Sequence, residues 1–282
     1  MQTIPRIPLG DTIEAGLDAF IEFSSGATRA LSALMDTGIT AVEHGLLWLH
    51  PVALIAIFTL CAWQASRKWG FPLFTALGFG LILNMGFWNA AINTLALVFC
   101  AALLAIMLGI PIGLCAAIFP RLEKALAPVL DIMQTMPSFV YLIPAIPLFG
   151  LGKVAALFAT LVFSVPPAIR MTCLGIRQIP PELVECAEAF GSTRWQRLLK
   201  LELPLAAPTI LAGVNQTVLL SLSMTVIAAM IGARGLGGEV WRAIQRLDIG
   251  LGFEAGLGIV ILAIFLDRLL RLLGTRFSRH TP

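Results

Sequence analysis

The chain has 282 residues, of which 58% are hydrophobic and 12% are charged, and its mean hydropathy is +0.91. Soluble globular domains carry about 25% charged residues, so this composition excludes a soluble globule and indicates a polytopic membrane protein. The net charge of +3 is small and gives no sign of a nucleic-acid partner. The five cysteines form no CxxC pair, and we interpret them as small apolar residues rather than as disulfides or metal ligands.

The first 45 residues have helical periodicity without an apolar run long enough to span a bilayer. Asp11 and Glu14 resemble a capping box, and Ser24–Gly26 separates two apolar faces. We therefore expect two amphipathic helices that lie at the membrane interface or pack on the outside of the helical bundle. The basic n-region and long apolar h-region of a cleaved signal are missing, so we expect this segment to be retained.

From residue 46 onward the pattern is typical of an all-α membrane protein with about seven transmembrane helices. The predicted spans cover residues 46–65, 71–88, 90–119, 126–149, 153–174, 204–232 and 252–273. The first two boundaries are soft, because only Arg67 and Lys68 separate these spans. Pro111 in the third span and Gly213 in the sixth predict a tilt or kink.

Polar residues inside these spans are candidates for a translocation path, because lipid-facing polar groups are costly. The fourth span, broken by prolines, carries Ser138, Phe139 and Tyr141, and the sixth carries Asn215, Gln216 and Ser223. The two aromatic rings would suit a quaternary ammonium ion, which binds through cation–π attraction. The alternative for each polar residue is an ordinary hydrogen bond between helices.

The segment from Pro180 to Pro204 is a polar, helix-forming island between the fifth and sixth spans. Pro180 and Pro181 predict a helix start, Gly191 predicts a left-handed stop, and Ser192 or Thr193 predicts the cap of a second helix that runs toward Pro204. A charged helical hairpin of this kind is typical of a docking site for a soluble partner.

The distribution of lysine and arginine predicts the orientation in the membrane. With the 175–203 loop placed inside, 13 of the 19 basic residues are internal and 6 are external. The positive-inside rule then predicts an external N-terminus and a cytoplasmic C-terminus. The glycine-rich segment 232–239 falls outside, either as a plain connector or as an external gate or docking surface.

No catalytic or nucleotide-binding motif accompanies these spans. The sequence contains no GxxxxGK[ST] P-loop, and its three histidines have no spacing typical of a metal site or a catalytic triad. We therefore expect neither an enzyme nor a cofactor in this chain, and the energy for any active process must come from elsewhere.

The hairpin resembles the EAA loop of ABC importer permeases. The positions that carry the resemblance are Glu185, Ala187, Gly191, Leu201, Leu203 and Pro204. The sequence departs from the pattern in two places, with Cys186 where the pattern has Ala and Leu201 where it has Ile. Residues 133–150, 212–240 and 244–268 further resemble the permease subunits of importers for glycine betaine, proline betaine, choline or carnitine. The resemblance covers about residues 70–272 and does not rank these substrates.

This resemblance implies a type I importer fold in the plasma (inner) membrane of a bacterium. The permease core would be residues 90–273 with the coupling loop 175–203, preceded by two accessory helices in residues 46–89 and followed by a cytoplasmic tail, 274–282. It also implies a homodimer of this permease, two copies of an ATPase that binds ATP and Mg²⁺, and an external solute-binding protein.

The competing hypothesis is a secondary transporter or channel that works without an ATPase. Such a protein would need ion-coupling charges at mid-membrane, and the predicted spans offer only Asp131, near their inner boundary.

Overall fold

The computed structural model describes residues 9–278, and every regular element within that range is helical. The α-helices are α1 Leu9–Trp48, α2 Pro51–Ser66, α3 Gly70–Asn84, α4 Trp88–Ile118, α5 Pro120–Thr135, α6 Leu142–Phe149, α7 Lys153–Arg177, α8 Pro181–Ala189, α9 Arg194–Arg197, α10 Leu203–Ala228, α11 Leu236–Arg246 and α12 Ile249–Ser278. Residues 279–282 of the predicted cytoplasmic tail lie outside the described range.

Four of these helical segments are long and apolar enough to cross a membrane: Trp88–Ile118, Lys153–Arg177, Arg194–Ile231 and Ile249–Leu272. Two bent pairs pass the same test together, α1 with α2 and α5 with the segment Ser138–Phe149, so the described residues contain up to 6 spans if each pair counts as one. The shorter apolar helix α3 coincides with the remaining predicted span. The all-α membrane fold predicted from the sequence is confirmed.

Helix α7 lies at the centre of the bundle, between α4 and α10. Glycines allow this close approach, because a Cβ on Gly113 of α4 would lie 2.6 Å from the carbonyl oxygen of Ile169. A Cβ on Gly213 of α10 would likewise lie 2.6 Å from the Cβ of Met171. Small residues at helix crossings are the usual means by which membrane helices pack closely. Gly213, where the sequence predicts a tilt or kink, therefore also allows α10 to pack closely on α7.

The accessory hairpin of α2 and α3 is attached to α12 by an aromatic cluster. The ring of Phe79, which is fully buried, lies 5.0 Å from Phe58 and 5.1 Å from Phe265 on α12. Trp88, at the start of α4, is also buried and packs edge-on against Phe79 at 6.5 Å. The cluster therefore joins residues 51–84 to the helices that follow.

The N-terminal segment is one 40-residue helix, so the prediction of two helices separated at Ser24–Gly26 is wrong. The hydroxyl groups of Ser24 and Thr28 donate to the carbonyl groups of Phe20 and Ser24, which accommodates the polar residues inside a regular helix. Near its C-terminal end this helix buries Met35 and Ile39.

Lys153 fixes that end of α1 to the bundle. Its Nζ lies 3.3 Å from Asp36 and 3.6 Å from Glu43, and it donates to the hydroxyl of Thr40 at 2.6 Å. Because Lys153 is the first residue of α7, this cluster places α1 at the same end of the bundle as the start of the central helix.

The fourth predicted span is not one straight helix. The axes of α5 and the following segment Ser138–Phe149 differ by 110°. Met136, at the break, has extended backbone angles (φ −65°, ψ 135°), as expected for a residue that precedes proline. Pro137 therefore produces the bend, while Pro144 and Pro147 lie within the short helix α6.

Candidate functional site

The polar island forms a hairpin of α8 and α9, and none of the residues in these two helices is buried. Gly191 ends α8 with a φ of 77°. Its N–H donates to Glu188, and the N–H of Ser192 donates to Ala187. This is a Schellman motif, in which the left-handed residue after the helix closes the last turn. The left-handed stop predicted at Gly191 is confirmed.

Thr193 begins the second helix of the hairpin. Its hydroxyl accepts from the backbone N–H of Gln196, and the Gln196 side chain accepts from the backbone N–H of Thr193. This reciprocal capping box satisfies two donors that the helix start would otherwise leave unpaired. Of the two caps considered from the sequence, the structure selects Thr193.

The second helix runs toward Pro204, as the sequence predicts, and continues beyond it into the sixth predicted span. It continues from Arg194 through Ile231 as one 38-residue segment. A π-helical turn over Leu198–Glu202 ends two residues before Pro204. Proline lacks the N–H that a regular helix would bond four residues back, and the wider turn accommodates this missing bond. Leu201, Leu203 and Pro204 therefore join the hairpin to α10 and are half-buried at that junction.

Arg197 holds the two arms of the hairpin together. Its guanidinium pairs with Glu188 on α8 and, at 2.7 Å, with Glu202 in the π turn. The Glu202 side chain is only 10% exposed, so its charge depends on this partner. Glu185 lies on the exposed surface of α8. The hairpin is thus a preformed unit rather than a loose loop.

Two large aromatic side chains project from the hairpin, and sequence reasoning did not single them out. Phe190 is 86% exposed and Trp195 is 73% exposed, on either side of the Gly191 turn. Aromatic residues are enriched at protein interfaces, where they supply most of the contact energy. Two large aromatic residues within an otherwise charged segment are the sequence signal that could have identified these candidate contacts.

A cavity of ≈ 580 Å³ lies between α5, α7 and α10. Its lining is largely apolar, with charged and amide side chains from all three helices: Glu123, Asp131 and Gln134 from α5, Arg170 and Arg177 from α7, and Gln216 from α10. Two ion pairs join α5 to α7 at this cavity. Asp131 lies 2.5 Å from Arg170, and Glu123 lies 2.6 Å from Arg177.

A second cavity, of ≈ 670 Å³, lies between α7, α10 and α12, and Gln216 lines both cavities. Asn215, also at the second cavity, donates to Asp267 on α12 at 2.7 Å. Asp267 in turn pairs with Arg271 at 2.8 Å. Asn215 therefore takes part in helix packing through a hydrogen bond, whereas Gln216 is exposed to both cavities.

The other predicted path residues lie apart from these two cavities. Phe139 is 53% exposed, Ser138 is half-buried and Ser223 is exposed. Tyr141 is buried, packs edge-on against Phe163, and donates its hydroxyl to the carbonyl of Met133. The described residues that line the two cavities include Asn215 and Gln216 but none of these four. Phe139 therefore presents a free aromatic face, and Tyr141 does not.

Residues 9–278 contain no group of three or more histidine, cysteine, aspartate or glutamate side chains arranged to hold a metal ion. The five cysteines are all free thiols.

The comparisons with known proteins agree with one another. Residues 109–279 match the family model described as "Binding-protein-dependent transport system inner membrane component". The chain is 47% identical over 273 residues to the glycine betaine transport system permease protein OpuAB of Bacillus subtilis, with 95% of each chain covered. It is 45% identical over 272 residues to the glycine betaine/carnitine transport permease protein GbuB of Listeria monocytogenes, with 95% of this chain and 96% of that protein covered.

Among solved structures, the fold is similar to that of the inward-facing MetNI methionine ABC transporter. The TM-score is 0.61 at 22% identity, and the match covers 69% of this chain and 95% of the other. At this identity the likeness concerns the fold.

Proposed function

Because the chain belongs to the family of binding-protein-dependent transport system inner membrane components, we propose that it is the permease subunit of an ATP-driven importer for a quaternary ammonium osmolyte such as glycine betaine, carnitine or choline. The observation that carries this proposal is the hairpin of α8 and α9, which is capped at both sides of its turn, exposed along its length and continuous with a membrane-spanning helix.

Energy coupling through a partner follows from the sequence and the hairpin together. The chain has no P-loop, so it is not expected to hydrolyse ATP by itself. A separate ATPase, which holds ATP and Mg²⁺, would bind the hairpin and seat the exposed rings of Phe190 and Trp195 in an apolar pocket. Two permease copies, two ATPase subunits and an external solute-binding protein make up the proposed assembly.

The ATPase interface can be tested by truncating its aromatic contacts. Trp195→Ala should weaken the free energy of binding between permease and ATPase by about 2 kcal/mol or more, as is usual for a tryptophan at an interface. Folding of the permease should be unchanged, because the Trp195 side chain is exposed. Binding of the purified ATPase to the permease in nanodiscs measures this effect. Trp69→Ala is the matched control, because Trp69 is 79% exposed and lies outside the α8–α9 hairpin. Equal ATPase binding by both variants would contradict the proposal.

The substrate class is supported by the relatives and by the exposed ring of Phe139. The two relatives are named as permeases for glycine betaine and carnitine, both of which carry a methylated ammonium group. We place the translocation path along Phe139, Ser138 and Ser223 and past Gln216, with Tyr141 and Asn215 supporting it through their hydrogen bonds. Phe139→Ala should change the uptake rate without changing assembly, whereas Phe139→Trp should preserve uptake. Unchanged uptake in Phe139→Ala would remove this residue from the path.

The competing secondary transporter or channel is distinguished by its energy requirement. Proteoliposomes that contain the permease, the ATPase and the binding protein should accumulate glycine betaine only when ATP is present on the ATPase side. Accumulation by the permease alone, driven by an ion gradient, would support the competing function.

A further inference from the structure

The Asp131–Arg170 pair lies at the cavity between α5, α7 and α10, and its geometry is that of a weak, openable contact. A single nitrogen, Nη2, meets a single oxygen, Oδ1, rather than two nitrogens meeting two oxygens. The Arg170 side chain is 39% exposed and that of Asp131 is 66% exposed. Half-exposed ion pairs of this kind contribute little to stability, so a ligand can separate the two charges at small cost.

Arg170 also holds an unused donor. Its Nε is buried and has no hydrogen-bond partner among the described residues. A guanidinium binds carboxylate best through two parallel N–H···O bonds, and this arrangement uses only one edge nitrogen of Arg170. A ligand carboxylate that turns the guanidinium toward the cavity would accept from Nε and Nη2 together. The structure therefore offers a carboxylate-binding group whose capacity is only partly used.

Tethering of α5 does not require this pair. Glu123 and Arg177 already join the same two helices, nearer the start of α5. The exposed amide of Gln216 faces the same cavity from α10, and Gln134 adds a second amide from α5. A largely apolar cavity with a few convergent polar groups is the usual form of a small-molecule site.

We propose that the Asp131–Arg170 pair opens to bind both ends of a zwitterionic substrate in this cavity, with the carboxylate on Arg170 and the ammonium group near Asp131. The inference rests on the proposed transport function and specifies its substrate class. A cation alone would contact only Asp131, and an anion alone would contact only Arg170, so each would gain one of the two charged contacts. A zwitterion satisfies both charges, so the site discriminates against choline, which has no carboxylate.

Ligand binding at this site can be measured without the binding protein. The permease and its ATPase are placed in nanodiscs, the five native cysteines are replaced, and Gln216→Cys reports the cavity through its reaction with a thiol reagent. We expect glycine betaine to protect this thiol at lower concentration than choline. If neither ligand protects it, the cavity is not a substrate site and the proposal is overturned, while ATP-dependent uptake can still be measured independently.

The two charged residues should shift selectivity in opposite directions. Arg170→Gln should weaken protection by glycine betaine about tenfold, the loss expected for a charged hydrogen bond, without weakening protection by choline. Asp131→Asn should weaken protection by choline more than protection by glycine betaine. A pair that only tethers α5 would affect both ligands equally in both variants, and that result would overturn the proposal.

Two further variants control for folding and helix coupling. Arg170→Lys keeps the charge but lacks the two-nitrogen edge, so glycine betaine protection should be intermediate between wild type and Arg170→Gln. Glu123→Gln removes the other ion pair between α5 and α7 and should leave the ratio of the two ligand affinities unchanged. A ratio that falls equally in Glu123→Gln and Arg170→Gln would contradict a specific carboxylate contact at Arg170.

Discussion

Replacement of Gly191 tests whether the ATPase requires a preformed hairpin. The residue has a φ of 77°, and no atom lies within 4 Å of the position that a Cβ would take. The cost of a substitution is therefore a backbone cost alone, about 1–2 kcal/mol for an L-residue in the left-handed region. β-Branched valine should lie at the upper end of that range, and asparagine, which tolerates this region, should lie below it.

The assay is the affinity of the purified ATPase for the permease in nanodiscs. If binding requires the hairpin as the structure shows it, a strain of about 1.4 kcal/mol weakens binding tenfold. We expect affinity to decrease in the order Gly191, Gly191→Asn, Gly191→Ala, Gly191→Val, with a parallel loss of transport. Gly86→Val is the matched control, because Gly86 also has a positive φ (79°) and open space, in the turn between α3 and α4.

Two results would refute this reasoning. Wild-type affinity and transport in Gly191→Val would show that the left-handed turn is not required for docking. An equal loss in Gly86→Val would show that the effect is a general loss of folded permease rather than a change in the hairpin.

The remaining predictions concern packing and orientation. Gly113→Ala should lower the free energy of unfolding by about 1–3 kcal/mol, because the new methyl group would overlap α7, whereas Gly80→Ala, with nothing within 4 Å, should be neutral or raise it by up to about 1 kcal/mol. Thermal unfolding in detergent compares the two variants, and equal midpoints would contradict the packing of α4 on α7. Asp36→Cys in a cysteine-free background should react with a membrane-impermeant reagent from the outside, as the positive-inside rule predicts. Reaction from the inside only would reverse the orientation.

The hairpin could be predicted from the sequence because its determinants are local. Pro181 starts α8, Gly191 ends it, and Thr193 caps α9, each through bonds to residues a few positions away. The all-helical membrane fold was also predictable, because apolar runs of sufficient length have few alternatives in a bilayer.

The two cavities could not be predicted in the same way, because the residues that meet at them are distant in the chain. Arg170 meets Asp131, and Asn215 meets Asp267, across helices whose relative placement no local pattern specifies. The sequence predicts that Tyr141 and Phe139 both line the path, because they are close in the chain, yet the ring of Tyr141 packs against Phe163 of α7. Periodicity shows that a residue is polar or aromatic within a span, and only packing decides whether it faces a cavity or a neighbouring helix.

The continuity of the segment from Arg194 to Ile231 has a mechanical consequence. At 1.5 Å per residue its 38 residues extend about 57 Å, with no loop between the hairpin and the far end of the bundle. A rotation at Trp195 would therefore be passed to the Gly232 turn along one continuous helical segment. The π turn at Leu198–Glu202, where the helical hydrogen bonding is irregular, is the compliant joint in that segment. The flexibility of the π turn would therefore determine how much of a rotation at Trp195 reaches the Gly232 turn.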